Sequence, residues 1–111
     1  MNQSQRPVSL TGGDELDRLV ASEPLVLVEL YTKGCGKCQS MEPVLGNVAR
    51  VTDATVALVN PGDDLTLLDR FDVRSVPTLV LFRDGEPVAT LADGFVPTDE
   101  VVAFVERNSD S

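Results

Sequence analysis

Both cysteines of the 111-residue chain lie in one tetrapeptide, Cys35-Gly36-Lys37-Cys38, and this spacing limits their chemistry. A structural zinc site needs about four Cys or His ligands, so two cysteines in a chain without histidine cannot close one. A structural disulfide across so short a loop would stabilise the fold weakly. Two inert buried thiols are another alternative, although Gly34 and Gly36 indicate an open turn around Cys35. We favour the remaining interpretation, a redox-active dithiol.

The roles of the two sulfurs follow from the helix that is predicted to begin near Cys35. Apolar residues recur at helical spacing over residues 41–48. Cys35 is therefore expected at the positive end of a helix, where free backbone N–H groups stabilise a thiolate. An unperturbed thiol, with a pKa of about 8.5, is only a few per cent ionised at neutral pH. Cys38 lies one turn further on and is less exposed, so we expect Cys35 to attack and Cys38 to resolve.

Glu29 interrupts the most apolar run of the chain, residues 25–31, six residues before Cys35. One interpretation is a strand residue that faces solvent at a sheet edge. However, the apolar neighbours on either side indicate burial of both strand faces. A carboxyl group in such a strand tends to stay protonated, and such groups mark functional sites. We therefore favour a proton relay between Glu29 and the Cys38 thiol.

Pro77 stands at the start of an otherwise strong strand pattern. Proline at this position is compatible with the mere beginning of an edge strand. The functional alternative is a cis Val76–Pro77 bond that presents the backbone of Val76 to a substrate.

The hydrophobic pattern predicts the elements that position these residues, in the order β-α-β-α-β-α-β-β-α. A capping box at residues 11–14 is expected to start the first helix, and Asp63 and Asp64 are expected to cap the third. Asp84-Gly85 predicts a hairpin turn. The first strands require parallel pairing and the final hairpin is antiparallel. The predicted strands cover residues 8–10, 25–31, 54–60, 78–83 and 87–91, and Thr98 is expected to cap the last helix.

The composition is that of one globular domain, with 18 acidic and 9 basic residues and a formal net charge of −9. So acidic a surface argues against nucleic-acid binding and against anionic membranes. No apolar stretch is long enough for a membrane span, and the polar start lacks a signal peptide. We expect a cytoplasmic protein, the alternative being a secreted form whose signal peptide was removed. Acid excess with only two lysines also raises the hypothesis of halophily.

The strand at 25–31, the CGKC motif, Pro43, residues 75–78, the turn at 83–85 and Gly94 together resemble the thioredoxin family. The resemblance covers residues 8–108, so a single thioredoxin-like domain over residues 1–111 is expected, with polar ends at 1–7 and 109–111. It implies an α/β fold in which about four helices flank a central mixed sheet of four to five strands. It also implies no bound cofactor, only a redox-active Cys35–Cys38 disulfide.

The resemblance further implies the roles of the site residues and the partners. Cys35 attacks, Cys38 resolves, Pro77 is cis and Glu29 handles protons. The partners implied are client proteins with disulfides and an electron donor like thioredoxin reductase, and we expect a monomer. The peptide-binding surface of the family corresponds to Gly34, Gly36, Lys37, Ser75, Val76 and Gly94, with Phe95 beside it.

The sequence departs from the family pattern around the motif. Lys37 replaces the proline of CGPC, and a cation there should favour the thiolate and shift the couple towards a more oxidising potential, unless it points into solvent and is screened. Gly34 and Tyr31 stand where the family has tryptophans. The buried aspartate of the family is Glu29, and its usual lysine partner is Leu58, which should make Glu29 harder to ionise.

Three functions are compatible with these residues. The leading hypothesis is a cytosolic protein-disulfide reductase. The second is a disulfide oxidase or isomerase, which Lys37 favours and the absence of a signal peptide disfavours. The third is a non-catalytic binding module that uses the surface around residues 76–77 and 94–95.

Overall fold

The computed structural model describes residues 6–109; of the expected polar ends, residues 1–5 and 110–111 lie outside this part of the chain. The element order agrees with the order predicted from the sequence. A short 3₁₀ turn (Pro61–Asp63), which the sequence did not predict, precedes the third helix. The elements are β1 (Val8–Leu10), α1 (Gly13–Ser22), β2 (Leu25–Leu30), α2 (Gly36–Val51), β3 (Thr55–Val59), α3 (Thr66–Arg70), β4 (Thr78–Arg83), β5 (Glu86–Leu91) and α4 (Thr98–Ser109).

The five strands form one mixed sheet in the order β1-β3-β2-β4-β5. The pairs β1–β3 and β3–β2 are parallel, whereas β4 is antiparallel to both β2 and β5. Strand β2 is therefore central, and Glu29 on it is paired with Leu58 of β3 and Leu79 of β4. This position rules out the interpretation of Glu29 as a solvent-facing residue at a sheet edge. Of the helices within residues 6–109, none has the length and apolar character needed to cross a bilayer.

Helices cover both faces of the sheet, and alternate residues of β2 point into two separate hydrophobic clusters. On one face, Leu27 packs with residues of α2 and α4, among them Met41, Leu45, Val48, Val101 and Phe104. On the other face, Val26, Val28 and Leu30 pack with residues of α1 and α3, among them Leu16, Val20 and Leu67. Glu29 alternates with Val28 and Leu30, so its side chain lies on the face that α2 covers.

The start of α1 differs from the predicted capping box at residues 11–14. No side chain of the helix start caps it in the predicted manner. Instead, the backbone N–H of Thr11 donates to Oε1 of Glu15 at 2.9 Å, and the N–H of Gly13 donates to Oδ2 of Asp64 at 2.9 Å. The capping-box prediction was wrong because the acceptor for the first turn comes from a distant part of the chain.

The start of α3 partly agrees with the sequence. Oδ1 of Asp64 accepts bonds from the backbone N–H of Thr66 (3.2 Å) and from its hydroxyl (2.6 Å). Asp63 lies in the 3₁₀ turn instead. Asp64 thus binds the first turns of two helices with its two oxygens, and these bonds lower the pKa of its carboxyl, the Thr66 hydroxyl making the largest contribution.

Candidate functional site

The two cysteines form a disulfide at the beginning of α2, with their Cα atoms 5.2 Å apart. Cys35 is the N-cap residue of the helix, and its Sγ accepts a hydrogen bond from the backbone N–H of Cys38 at 3.1 Å. Cys35 is half-buried, whereas Cys38 is only 4% exposed. An external disulfide can therefore reach only the first sulfur directly. The remaining free N–H groups of the first turn place positive potential at that sulfur.

The chain enters α2 through a turn that requires glycine. Gly34 has a φ of +75°, a conformation that residues with a Cβ rarely adopt. A Cβ at this position would meet open space, so the requirement is conformational and not steric. Cys35 then has extended backbone angles, as is usual for an N-cap, before Gly36 begins the helix. The exposed glycines on either side leave the Cys35 sulfur uncovered.

The segment before β4 lies against the disulfide. The Val76–Pro77 bond is cis, as the sequence led us to expect, and Pro77 is buried. The carbonyl oxygen of Val76 lies 4.0 Å from the Sγ of Cys35. Ser75, which precedes it, is exposed, and its carbonyl accepts a hydrogen bond from the Thr78 hydroxyl at 2.7 Å. This contact ties residues 75–77 to the start of β4.

Lys37 lies beside Gly94, the third glycine of the predicted peptide-binding surface. Gly94 has a φ of +75°, and a Cβ built on it would lie 3.4 Å from Cδ of Lys37 and 3.6 Å from its Nζ. The lysine side chain is exposed and extends across the glycine. Phe95, the next residue, is 48% exposed, which is unusual for a large apolar side chain in this protein. The surface next to the disulfide thus combines a cation with an exposed aromatic ring.

Glu29 and Cys38 line the same cavity, which has a volume of about 380 Å³. Glu29 is only 2% exposed, and among the described residues its Oε2 has no hydrogen-bond partner. Burial, with a smaller contribution from the negative charge of Glu42, raises the pKa of Glu29 to about 7. The cavity is lined by Ser9, Glu29, Tyr31, Thr32, Lys33, Gly34, Cys38, Gln39, Glu42 and Leu58.

Two further residues decide the electrostatics of this cavity. Leu58 is paired with Glu29 across the β2–β3 ladder and lines the cavity, so an aliphatic side chain occupies the position of the expected cation. Glu42 was not predicted from the sequence as a site residue. It follows Cys38 by four positions on α2, and this spacing, which places two residues on one helix face, was the signal that could have identified it.

The sequence-predicted residues fall into two groups around the disulfide. On the outer side of the disulfide, Cys35 lies with Lys37, Val76 and Gly94, flanked by Gly36, Ser75 and Phe95, and the buried Pro77 follows Val76 in the chain. On the inner side, Glu29 and Cys38 line the cavity together with Gly34. Among residues 6–109 there is no group of three or more metal-ligating side chains that could hold an ion. The redox centre of the protein is its own Cys35–Cys38 pair.

A five-stranded mixed sheet with a cysteine pair at the start of the helix after its central strand defines a thiol-disulfide oxidoreductase with a thioredoxin fold. The model of the family described as Thioredoxin matches residues 7–107. The chain belongs to the thioredoxin family.

Three relatives illustrate this similarity. Thioredoxin from Chlamydia pneumoniae is 34% identical over 83 residues, which are 74% of this chain and 80% of that protein. Thioredoxin from Mycobacterium tuberculosis is 34% identical over 89 residues, covering 78% of this chain and 77% of that protein. Among solved structures, a variant of thioredoxin from Halobacterium salinarum NRC-1 superposes with a TM-score of 0.92 at 34% identity, covering 100% of this chain and 97% of that one.

Proposed function

We propose that this protein is a protein-disulfide reductase in which Cys35 attacks and Cys38 resolves. The observation that carries the proposal is the difference in access between the two sulfurs. Cys35 is half-buried at the helix N-terminus, whereas Cys38 is buried behind it and shares a cavity with a carboxyl group. Only the first sulfur can meet a client, and only the second has an internal proton acceptor nearby.

In the first step the thiolate of Cys35 attacks one sulfur of a client disulfide. The Cys35–client mixed disulfide forms and the other client sulfur leaves as a thiolate, which takes a proton from water. The free N–H groups of the first turn of α2 favour the attacking anion. The backbone of Val76, 4.0 Å from the sulfur, is available to bind the client chain.

In the second step Cys38 attacks Sγ of Cys35. The Cys35–Cys38 disulfide forms, the second client thiolate leaves, and two electrons have passed from the protein to the client. Cys38 must lose its proton first, and Glu29 accepts it. A carboxyl group with a pKa of about 7 is well matched to this transfer, because it is partly ionised at neutral pH and basic enough to take the proton.

The same proposal includes the partners and the cellular setting. The clients are proteins with accessible disulfides, which bind along Gly34, Gly36, Lys37, Ser75, Val76 and Gly94, with Phe95 beside them. An electron donor of the thioredoxin reductase type reopens the Cys35–Cys38 disulfide after each cycle. The protein acts as a cytoplasmic monomer in a reducing compartment, where such a donor can operate.

The test is insulin-disulfide reduction with dithiothreitol as the electron source. Cys35→Ser should abolish catalysed reduction, because it removes the attacking sulfur. Cys38→Ser should also lack turnover, and when it is first reduced, freed of dithiothreitol and then mixed with insulin, it should accumulate the Cys35–insulin mixed disulfide, which a mass spectrum detects. Retained turnover in Cys35→Ser, or a mixed disulfide on Cys38 in place of Cys35, would contradict the assignment.

A second candidate, a disulfide oxidase or isomerase, is favoured by Lys37, which stands where the family has proline. A lysine there favours the thiolate state of the dithiol and makes the disulfide more oxidising. Equilibration of the Cys35–Cys38 pair against glutathione separates the two functions. A potential near that of reducing dithiols, about −270 mV, supports the reductase, and one near about −120 mV supports the oxidase.

A further inference from the structure

The chain contains only two lysines, and both lie next to the attacking cysteine. Lys33 precedes Cys35 by two residues and Lys37 follows it by two, in a protein whose formal net charge is −9. Every other basic side chain of the protein is an arginine. The lysine charge of this acidic molecule is therefore concentrated at the entrance to its disulfide.

Both lysines are available to a bound partner. Each is exposed, and the ion pairs found among residues 6–109 join Arg70 to Asp17 and Arg74 to Asp72. The stem and the ammonium group of Lys37 lie beside Gly94, the residue that precedes the exposed Phe95. Lys33 lies at the mouth of the cavity that holds Glu29.

The negative groups nearby do not cancel this charge by direct pairing. Asp93 precedes Gly94 and is exposed, and Glu42 lines the same cavity as Lys33. Neither is in an ion pair with a lysine within the described part of the chain. The net charge of −9 repels acidic chains at long range, whereas the two lysines beside the disulfide, which form no ion pair within the described residues, attract such a chain at short range.

We propose that Lys33 and Lys37 make this site selective for client disulfides that are flanked by aspartate or glutamate. The inference rests on the proposed reductase function and names its substrate class. Complementary charge around a reactive centre raises the rate of productive encounter and disfavours partners of the wrong sign. The reaction itself is unchanged, with the client disulfide reduced and the Cys35–Cys38 dithiol oxidised.

Lys37 can also act on the sulfur itself, and the experiment must separate the two effects. A lysine that only stabilises the Cys35 thiolate changes the rate with every client by the same factor. A lysine that recognises the client changes the rate with acidic clients more than with neutral ones. The ratio of kcat/KM for two matched clients therefore isolates recognition, because the intrinsic reactivity of the thiol cancels.

The experiment uses the full-length protein, kept reduced by dithiothreitol during turnover, and two disulfide-linked, fluorophore-quenched peptides, with the uncatalysed reduction by dithiothreitol subtracted. In one peptide Asp flanks each cysteine, and in the other Asn replaces every Asp. The variants are Lys33→Gln, Lys37→Gln, their combination, and Lys37→Arg. Arg18→Gln is the matched control, because it removes one positive charge from α1, which packs on the opposite face of the sheet from α2. Circular dichroism verifies that every variant is folded under the assay conditions.

We expect the wild type to reduce the acidic peptide faster than the neutral one, with about a two- to fivefold contribution from each lysine at low salt. The double variant should bring the ratio close to one, and Lys37→Arg should retain it. About 1 M KCl should also bring the ratio close to one, since the screening length is then about 3 Å. Arg18→Gln should leave the ratio unchanged.

Three results would overturn the inference. They are equal kcat/KM values for the two peptides in the wild type, a ratio that survives the double variant, and a ratio that falls as much in Arg18→Gln as in Lys37→Gln. The last result would mean that the preference for the acidic peptide comes from the net charge of the molecule and not from Lys33 and Lys37. Failure of the proposed function would look different, because then the wild type would reduce neither peptide.

Discussion

Glu29 is a carboxyl group held in the central strand of the sheet, and its ionisation opposes folding. The folded protein retains the proton up to a pH of about 7, whereas an unfolded chain releases it near the ordinary pKa of 4.5. Protonation of Glu29 therefore favours the folded state. This contribution to the unfolding free energy is present in full below pH 4.5 and is lost as the pH rises to about 7. The difference in pKa corresponds to about 3 kcal/mol of unfolding free energy.

Replacing Glu29 with Gln removes this pH dependence. We expect the unfolding free energy of Glu29→Gln to gain about 3 kcal/mol relative to the wild type between pH 4.5 and pH 8. Urea unfolding of both proteins across this range measures the difference, in which the contributions of all other carboxyl groups cancel. Glu86→Gln, an exposed change on β5, is the control and should show no such trend. A difference that stays constant with pH would show that Glu29 ionises normally.

The neighbours of Glu29 set its pKa, and two substitutions should move it in the same direction. Glu42→Gln removes a negative charge from the cavity, and Leu58→Lys places a cation at the cross-strand partner position of Glu29. Both should lower the pKa of Glu29, the lysine more strongly because it adds an attractive charge. The other ionisable side chains lining this cavity, Tyr31, Lys33 and Cys38, are unchanged in both variants.

Carbon-13 NMR titration of the Glu29 carboxyl measures these shifts directly. The pH profile of mixed-disulfide resolution should move to lower pH by the same amount if Glu29 is the proton acceptor for Cys38. A shift in the NMR titration without any shift in the kinetic profile would show that Glu29 does not accept the proton of Cys38. Leu58→Met, which changes shape without charge, is the control for both measurements.

At the scale of secondary structure, Asp64 holds the starts of two helices together. One oxygen accepts the N–H of Gly13 in α1, and the other accepts from Thr66 in α3. We expect Asp64→Ala to lower the melting temperature clearly, because it leaves these donors without their acceptor. Asp63→Ala, which changes the exposed preceding residue in the 3₁₀ turn, should have a much smaller effect.

The pH dependence of the melting temperature of Asp64→Ala provides a second test of this role. The pKa of Asp64 is lowered in the folded protein, so its stabilisation is present above the ordinary pKa of 3.8 and is lost as the pH falls through the folded value. The difference in melting temperature between Asp64→Ala and the wild type should therefore shrink in acid. An undiminished difference at low pH would mean that packing, and not the carboxylate, is responsible.

Strand β2 and the start of α1 show how much of the fold could be predicted from the sequence. The strands and the central position of Glu29 were predictable, because a continuous apolar run is typical of a strand covered on both faces. The start of α1 was not, since its acceptor lies 51 residues away and only the tertiary fold brings Asp64 to Gly13. Glu42 was overlooked for a related reason. Its importance depends on facing Glu29 across a cavity, although its spacing from Cys38 was visible.

For the molecule as a whole, the excess acidic residues lie on the surface. The formal net charge is −9, and among the buried residues of the described chain Glu29 is the only carboxylate. Like charges spread over so small a surface repel one another in the folded state more than in the expanded chain. Salt screens that repulsion, because the Debye length falls from about 10 Å at 0.1 M to about 3 Å at 1 M.

We therefore expect the melting temperature to rise between about 0.1 M and about 1 M KCl. A variant with Asp53→Asn, Glu86→Gln, Asp93→Asn and Glu106→Gln carries four fewer negative charges at exposed positions and should show a smaller rise. Comparing the two proteins by calorimetry separates charge screening from the general effect of salt on apolar burial, which both share. Equal salt responses would mean that the acidic surface is not what salt acts on. A melting temperature that stays flat or falls with KCl would contradict the hypothesis of halophily.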